Sequence, residues 1–313
     1  MVLATSNYKL LLDNMAAAIV FRESYNHYDL SKNVLNRDLT LNLFTFLKSK
    51  NIDYITIIDR QRVMGKIDLS FLENLYFIKK IHVDVSDCTI SDLLYLKESL
   101  ESISIKIDSP IDTSIFMNFP GLISLHSNTL PCEMYDKFHG LKDIIISGCD
   151  IAKINFKNLQ HLVCLRVGGC KNWRQNNIGE LYRLKGLDIS FDNKIDNIDF
   201  VSDLGNLECI MLYYTSKIQK FPNLEKLKKL KRVYVYTGNR LADLTSLKLN
   251  ESLEDVVIIN SKLKAEVVKP LLECPNLKRV YWDLGSVSEN KKANDWFAPL
   301  IDSKVMYEHY YVK

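Results

Sequence analysis

Cysteine and histidine are the residues of this sequence whose chemistry would be most telling, but their spacing does not form a site. Cys164 follows His161 by three residues, yet the HLVC segment offers no third partner and no oxyanion donor. We therefore interpret Cys164 as a packing residue. The chain has seven cysteines without a C-x-x-C pair or a metal-type grouping: Cys88, Cys132, Cys149, Cys164, Cys170, Cys209 and Cys274.

Two histidines also fail to make a metal site. His82 and His126 occupy outward positions of predicted strands, but two repeats separate them, which places them roughly 10 Å apart. The sequence also lacks the phosphate-loop, dinucleotide, nucleophile-elbow and H-E-x-x-H motifs. We therefore predict no catalytic residues, no metal ligands and no cofactor, and we do not expect an enzyme.

Tyrosine is the residue type that points to binding. In four successive segments the inward positions are filled by Ile210, Leu212, Val233, Val235, Val256, Ile258, Val280 and Trp282. Because side chains alternate along a strand, the residues between them must face outward. These outward residues are Met211, Tyr213, Tyr234, Tyr236, Val257, Ile259 and Tyr281. An apolar patch of this extent is typical of a contact surface, in which tyrosine and methionine are enriched.

We predict these seven residues as the partner-binding site, with Arg232, Arg279 and Asp283 orienting the partner at its rim. Two other interpretations stay open. Cross-strand stacking of the same residues would stabilise the parallel sheet, and a flanking segment could fold over them.

A basic cluster beside the tyrosines suggests an alternative partner. Basic residues interleaved with aromatic ones can bind single-stranded nucleic acid through backbone attraction and base stacking. However, Glu251, Glu254 and Asp255 interrupt the stripe that a phosphate backbone would follow. We therefore keep a nucleic-acid-binding module as the alternative to a protein-binding one. The basic residues are Lys226, Lys228, Lys229, Lys231, Arg232, Lys278 and Arg279.

A repeated apolar pattern predicts the elements that position these residues. Leu184, Leu187 and Ile189 are spaced one, four, six, and the same spacing returns from Leu207 and from Leu230. Repeat starts are separated by 22, 19, 21, 22, 23, 23, 23 and 24 residues, which lies in the leucine-rich-repeat range. The starts are Leu100, Leu122, Leu141, Leu162, Leu184, Leu207, Leu230, Leu253 and Leu277.

The chain resembles the leucine-rich-repeat family, and from Leu141 onward it is most similar to the short 22-residue class found in internalins. Segments such as LKGLDISFDNKI match that class. The resemblance covers about residues 51–285 and implies an α/β solenoid of ten to eleven strands. Its curved parallel sheet would lie on the concave face, with helical turns and loops on the convex face. Where the family usually has asparagine, this chain has Asp108, Cys149, Cys170, Asp192, Thr215, Gly238 and Ser261, so we expect less uniform turns.

Caps are expected at both ends of the repeats. Residues 1–50 are predicted as a helical N-terminal cap, because Asp38 precedes a helical pattern of Leu39, Leu43, Phe46 and Leu47. Residues 286–313 are predicted as a C-terminal cap. It would contain a short helix from about Ser288 and a final strand in KVMYEHYYVK.

Bulk properties complete the expectations. The 313 residues carry a formal charge of only +3 and are 47% hydrophobic, which suits one elongated folded domain. We read no export signal and no membrane span, so we expect a cytoplasmic monomer with seven thiols. A bridge between Cys149 and Cys170 is geometrically allowed but not favoured. The predicted function is a non-enzymatic module, such as a scaffold, inhibitor or immunity protein, that binds an unidentified partner protein.

Overall fold

A computed structural model describes residues 2–4, 8–12, 17–21, 44–45, 47–59, 62 and 65–307, with backbone only for residues 2–21 and 307. The chain divides into two compact units, Met1–Pro131 and Cys132–Lys313. This division falls inside the predicted repeat range of 51–285. The predicted limits of the caps stay predictions.

Four repeat strands lie among the described residues of the first unit. They are β4 (Tyr54–Ile58), β6 (Lys80–Val85), β8 (Ser102–Ile107) and β9 (Ser124–Ser127), and neighbours pair in parallel. Short strands β5 (Lys66–Ile67) and β7 (Asp87–Cys88) form a separate parallel pair. Leu72, Leu75, Leu93 and Leu96 of the intervening 3₁₀ turns are buried, so each turn covers the core side of the sheet.

Strands also precede the repeats, which the sequence pattern did not predict. They are β1 (Val2–Ala4), β2 (Tyr8–Leu12) and β3 (Ala17–Phe21); β3 pairs in parallel with β4. Of the predicted helix, residues 44–45 and 47–49 are helical and Leu47 is fully buried. Leu39, Leu43 and Phe46 lie outside the described residues.

The second unit contains seven parallel repeat strands among its described residues. They are β10 (Asp143–Ser147), β11 (Cys164–Gly168), β12 (Gly186–Ser190), β13 (Cys209–Tyr213), β14 (Arg232–Tyr236), β15 (Asp255–Ile259) and β16 (Arg279–Trp282). Helix α1 (Cys132–Tyr135) precedes them and helix α2 (Val287–Trp296) follows. Strand starts are 21 to 24 residues apart, which confirms the predicted short repeat class.

Burial follows the predicted alternation on the core side of this sheet. All eight inward strand residues from Ile210 to Trp282 are at most 4% exposed. The predicted repeat leucines from Leu100 to Leu253 are also buried, whereas Leu277 is only partly so. Burying one such side chain contributes about 1.5–3 kcal/mol, so a stack of repeats builds its stability from many equivalent layers.

In one repeat an aspartate stands at the position where the family usually has asparagine, and it accepts hydrogen bonds from the backbone of the turns. Asp192 is fully buried, and its carboxylate accepts hydrogen bonds from the backbone N–H of Cys170 (2.7 Å), Lys194 (2.9 Å) and Ile195 (3.2 Å). The indole N–H of Trp173 donates a fourth at 2.9 Å. Asp192 therefore ties the turn after β12 to the turn of the preceding repeat.

The prediction of seven free thiols is wrong. Cys132 and Cys149 form a disulfide, with Cα atoms 5.8 Å apart, while Cys170 is free. The alternative partner considered for Cys149, Cys170, occupies the equivalent place after the next strand, whereas the actual partner, Cys132, comes from the start of α1, before β10. Sequence periodicity compares equivalent positions and so did not reveal this contact between non-equivalent ones. The cytoplasmic location stays a prediction.

The C-terminal segment agrees with the prediction in its helix and differs in its strand. Helix α2 begins at Val287, and Phe297 after it is buried with its ring 5.3 Å from that of Trp282. Ile301 makes a parallel bridge with Val280, but the chain then forms a 3₁₀ turn at Ser303–Tyr307 instead of the predicted strand. Residues 308–313 lie outside the described part. Among the described residues, no helix is long and apolar enough to cross a membrane.

Candidate protein-interaction surface

The parallel register brings the predicted site residues into rows on the sheet face opposite the core, here called the outer face. Met211, Tyr234, Val257 and Tyr281 are register partners on β13 to β16. Tyr213, Tyr236 and Ile259 form a second row, two residues further along the same strands. The predicted patch is therefore contiguous, but its two rows have different surroundings.

The first row lies beneath the C-terminal segment. Tyr234 is 9% exposed and Val257 1% exposed, and both pack against the fully buried Val305. The Tyr234 hydroxyl donates a hydrogen bond to the Val305 carbonyl oxygen at 2.9 Å. Partly buried apolar residues complete this cluster. We call Met211, Tyr234, Val257, Ile259 and Tyr281 the covered patch. The flanking-segment interpretation therefore describes this part of the predicted surface.

The second row continues into a group of aromatic rings at the strand ends. We call Phe191, Tyr213, Tyr214 and Tyr236 the aromatic cluster. Tyr213 stacks on Tyr236 with ring centroids 4.5 Å apart, and Phe191 stacks on Tyr214 at 5.3 Å. Edge contacts of Tyr213 with Tyr214 (4.8 Å) and with Phe191 (5.0 Å) join the two pairs. Phe191 is 67% exposed and Tyr214 37% exposed, so the cluster faces solvent.

A left-handed backbone position places two of these rings. The residue after each of strands β10 to β15 has positive φ: Gly148 (68°), Gly169 (61°), Phe191 (51°), Tyr214 (54°), Thr237 (60°) and Asn260 (51°). This geometry lets the Tyr214 N–H donate to the Tyr236 carbonyl at 2.9 Å, one step beyond the strand. Glycine and asparagine adopt it most readily, whereas bulky side chains pay about 1–2 kcal/mol. The repeat therefore requires the turn but does not require aromatic residues there.

Sequence reasoning missed Phe191 and Tyr214 because strand parity says nothing about the residue after a strand. The available signal was an aromatic residue in the same place of two successive repeats, in ISFD and LYYT. A hydrogen bond with Tyr214 also raises the pKa of the Tyr236 hydroxyl, which shows how closely the rings are grouped.

The predicted rim residues are held by the chain itself. The Asp255 side chain is only 5% exposed and accepts two hydrogen bonds from Arg279, each of 2.8 Å, while Arg232 lies 3.7 Å away on the other side. Asp283 accepts from the backbone N–H groups of Asn260 (3.3 Å) and Gly285 (3.2 Å). The predicted rim residues Arg232, Arg279 and Asp283 therefore stabilise the sheet and its turns. Their role toward a partner stays a prediction.

Lysines of the basic cluster have partners in neighbouring repeats. Glu254 lies 3.4 Å from Lys231 and 2.9 Å from Lys278. Lys228 pairs with Glu251 at 3.6 Å. Because these groups are largely exposed, each pair contributes little stability. The pairs nevertheless alternate positive and negative charge across the repeats.

The residues considered for chemistry contact neighbouring side chains in the structure. Burial raises the pKa of the Cys164 thiol to about 11, and the nearby His161 contacts Arg183 at 3.3 Å. His82 and His126 both contact the Ser104 hydroxyl, at 2.9 and 3.3 Å, and burial lowers the pKa of His82. Within the described residues, no group of three or more histidine, cysteine or acidic side chains could hold a metal ion.

Comparison with known proteins gives the fold. No protein-family model matches the chain, and no curated protein matches it. A leucine-rich-repeat protein of Leptospira interrogans matches with 16% identity over 83% of this chain and 74% of that one, with a TM-score of 0.53. The TLR13 chain of a complex with ssRNA13 matches with 17% identity over 75% of this chain and 36% of that one, at 0.56.

An internalin of Listeria monocytogenes also matches, with 16% identity over 89% of this chain and 85% of that one, and a TM-score of 0.49. The similarity in structure, together with the repeat spacing and parallel strands, shows that the chain has a leucine-rich-repeat fold built from short repeats. At 16% and 17% identity, this comparison shows the fold alone. It does not identify the partner.

Proposed function

We propose that this chain is a non-enzymatic binding module that holds a partner protein on the aromatic cluster. The observation that carries the proposal is the exposed pair Phe191 and Tyr214, which occupy left-handed backbone positions where glycine stands in two other repeats. Core packing does not account for the rings, since the inward strand positions are filled separately. Clusters of rigid aromatic side chains are typical of interface centres.

The energetics favour a binding role over a structural one. Contacts between aromatic rings contribute about 0.5–1.5 kcal/mol per pair, which is close to the backbone strain of a bulky residue at positive φ. Phe191 and Tyr214 make four ring contacts, which at the lower end of that range roughly offset the strain of the two residues, so the rings add little net stability to the repeats. Exposed aromatic surface contributes hydrophobic free energy only when another surface covers it and removes it from water.

The charge pattern favours a protein over a nucleic acid. A phosphate backbone needs a continuous positive path, whereas Lys231 and Lys278 share Glu254, and Lys228 faces Glu251. Alternating charge at the starts of the strands whose outer face carries the aromatic rings suits a protein surface. The structural match to TLR13 in a complex with RNA shows the fold alone, at 17% identity. Nucleic-acid binding therefore remains the alternative.

Affinity capture with paired variants tests the proposal. Wild-type protein and a Phe191→Gly, Tyr214→Gly variant would be used as bait in extracts of the native organism, with quantitative mass spectrometry. A partner captured by the wild type should fall at least tenfold with the variant. Tyr182→Ala is the matched control, because Tyr182 is 52% exposed and lies outside the cluster.

Equal capture by the wild type and the glycine variant would contradict the proposed site. Steep salt dependence, with loss of binding on replacing Lys228, Lys229 and Lys231 but not the aromatic residues, would support nucleic-acid binding instead.

A further inference from the structure

The covered patch has the features of a binding groove whose occupant is part of the same chain. Its lining is apolar except for the hydroxyls of Tyr234 and Tyr281, and the Tyr234 hydroxyl donates a hydrogen bond to a backbone carbonyl of the occupant. A groove of this kind fits a peptide residue that has a branched apolar side chain and a backbone carbonyl oxygen free to accept the hydrogen bond. Val305 supplies both groups here.

The occupant is the short segment that follows the last strand pairing of the sheet, at Ile301. Ile301 pairs with Val280 on β16, and the Asp302 N–H donates to the Val280 carbonyl at 3.0 Å. The chain then leaves the sheet edge, turns at Ser303–Tyr307 and lies across the outer face as far as β14. Within this turn Val305 is fully buried, whereas Ser303 and Lys304 are exposed. The segment therefore inserts one buried side chain between exposed neighbours.

The sheet has its core elsewhere. Val233, Val235, Val256 and Ile258 are buried on the opposite face, beneath the repeat turns, and none of them belongs to the cluster around Val305. Since side chains on the two faces of a sheet pack independently, the repeat core does not require the segment.

The covered patch is continuous with the aromatic cluster. Tyr234 and Tyr236 are on one strand, two residues apart, and so are Met211 and Tyr213. A partner segment bound on the aromatic cluster would reach the covered patch within about 7 Å, the length of two strand residues. A longer partner segment would then contact the C-terminal segment that covers the patch.

We propose that the covered patch is a docking groove for a short apolar peptide segment, and that residues 302–307 occupy it as an internal ligand which a partner segment replaces. The proposal deepens the proposed function by naming the chemistry and the regulation of the same face. The groove itself is testable without the partner, so the two proposals can fail separately.

The test uses the full chain with Val305→Asp, which puts a charge into the apolar contact and releases the segment. A synthetic peptide of residues 302–313 is then titrated by calorimetry into the variant and into the wild type. We expect the variant to unfold cooperatively, and to bind the peptide at least tenfold more tightly than the wild type, whose groove is occupied. Ser303→Asp adds the same charge at an exposed position and should behave like the wild type.

Tyr234→Phe placed in the Val305→Asp chain checks the carbonyl contact. Loss of one hydrogen bond should lower the affinity of the peptide by about 2–12-fold. Tyr236→Phe in the same background should leave that affinity unchanged. Peptide binding that is equal in the wild type and the Val305→Asp chain, or absent from both, would overturn the groove.

Hydrogen exchange on the unmodified protein keeps the proposal testable should Val305→Asp fail to fold. Amides of residues 303–307 should exchange at least 100-fold faster than those of β14, because a replaceable segment opens without unfolding the sheet. Exchange of both sets at the same rate would show that the segment is an integral part of the fold. Failure of this proposal with intact partner capture on the aromatic cluster leaves the proposed function standing.

Discussion

The covered patch and the aromatic cluster share strands β13 and β14, on which Met211, Tyr213, Tyr234 and Tyr236 all have outward parity, yet the covered patch lies beneath the C-terminal segment and the aromatic cluster faces solvent. Tyr234 is 9% exposed because Val305 lies on it, whereas Phe191 is 67% exposed at the strand ends. Parity therefore establishes which face a side chain lies on. A segment distant in sequence, here with Val305 71 residues away from Tyr234, determines whether that face is exposed to water.

The largest expected effect comes from removing the Asp192 carboxylate, which holds the turn that carries Phe191. Asp192→Ala would leave three backbone N–H groups and the Trp173 indole without their buried acceptor. We expect the free energy of unfolding to fall by about 3–5 kcal/mol, since each unpaired buried donor costs about 1–3 kcal/mol and water replaces some of the lost bonds. Chemical denaturation measures it.

This change also sharpens the comparison between the two regions. The aromatic cluster should lose its arrangement because Phe191 adjoins Asp192, while the contact of Tyr234 with Val305 should survive. Asp196→Ala is the control, because Asp196 lies in the same turn but pairs with Arg174 at the surface. An Asp192→Ala protein as stable as the control would contradict the assigned role of the carboxylate.

The fold could be predicted largely from sequence, for a physical reason. Inward apolar residues such as Leu187 and Ile210 recur at a nearly constant spacing, because every repeat buries them against the next. The disulfide of Cys132, the strands at residues 2–21 and the path of residues 302–307 do not repeat. A periodic pattern contains no information about them.

The candidate site could be predicted only in part. Tyr213 and Tyr236 were found because they follow strand parity, and they do lie in the aromatic cluster. Phe191 and Tyr214 follow the strands at positive φ, where alternation no longer applies. The burial of Tyr234 depends on a contact with Val305 that no local property of either residue reveals.

Alanine substitution should separate the two tyrosines of β14. Tyr234→Ala removes a buried ring and its hydrogen bond to Val305, so we expect a loss of about 3 kcal/mol in the free energy of unfolding. Tyr236→Ala removes a half-exposed ring and should lower the melting temperature only slightly, while reducing partner capture. Thermal unfolding of the two variants measures the difference. Equal destabilisation would mean that the two regions have the same environment.

A change remote from both regions should leave their difference intact. Cys132→Ser removes the disulfide that closes a 17-residue separation, and we expect a loss of about 2–3 kcal/mol from the increased entropy of the unfolded chain. Partner capture and the Tyr234 contact should be unchanged once the protein is folded. Alkylation of the unreduced wild type in denaturant, followed by mass spectrometry, provides the check that five cysteines react and two do not.

The smallest expected effect is the one that most directly tests why aromatic residues follow β12 and β13. Tyr214→Gly relieves about 1–2 kcal/mol of backbone strain at positive φ and loses three partly exposed ring contacts, with Phe191, Tyr213 and Tyr236, which at about 0.5 kcal/mol each come to about 1.5 kcal/mol. We therefore expect the free energy of unfolding to change by no more than about 1 kcal/mol. Tyr214→Ala loses the same contacts but keeps most of the strain, so it should be less stable than the glycine variant. Denaturation of the two variants side by side measures this order. An alanine variant as stable as the glycine variant would show that strain is negligible at this position, and the aromatic cluster would then lose its main distinction from ordinary surface residues.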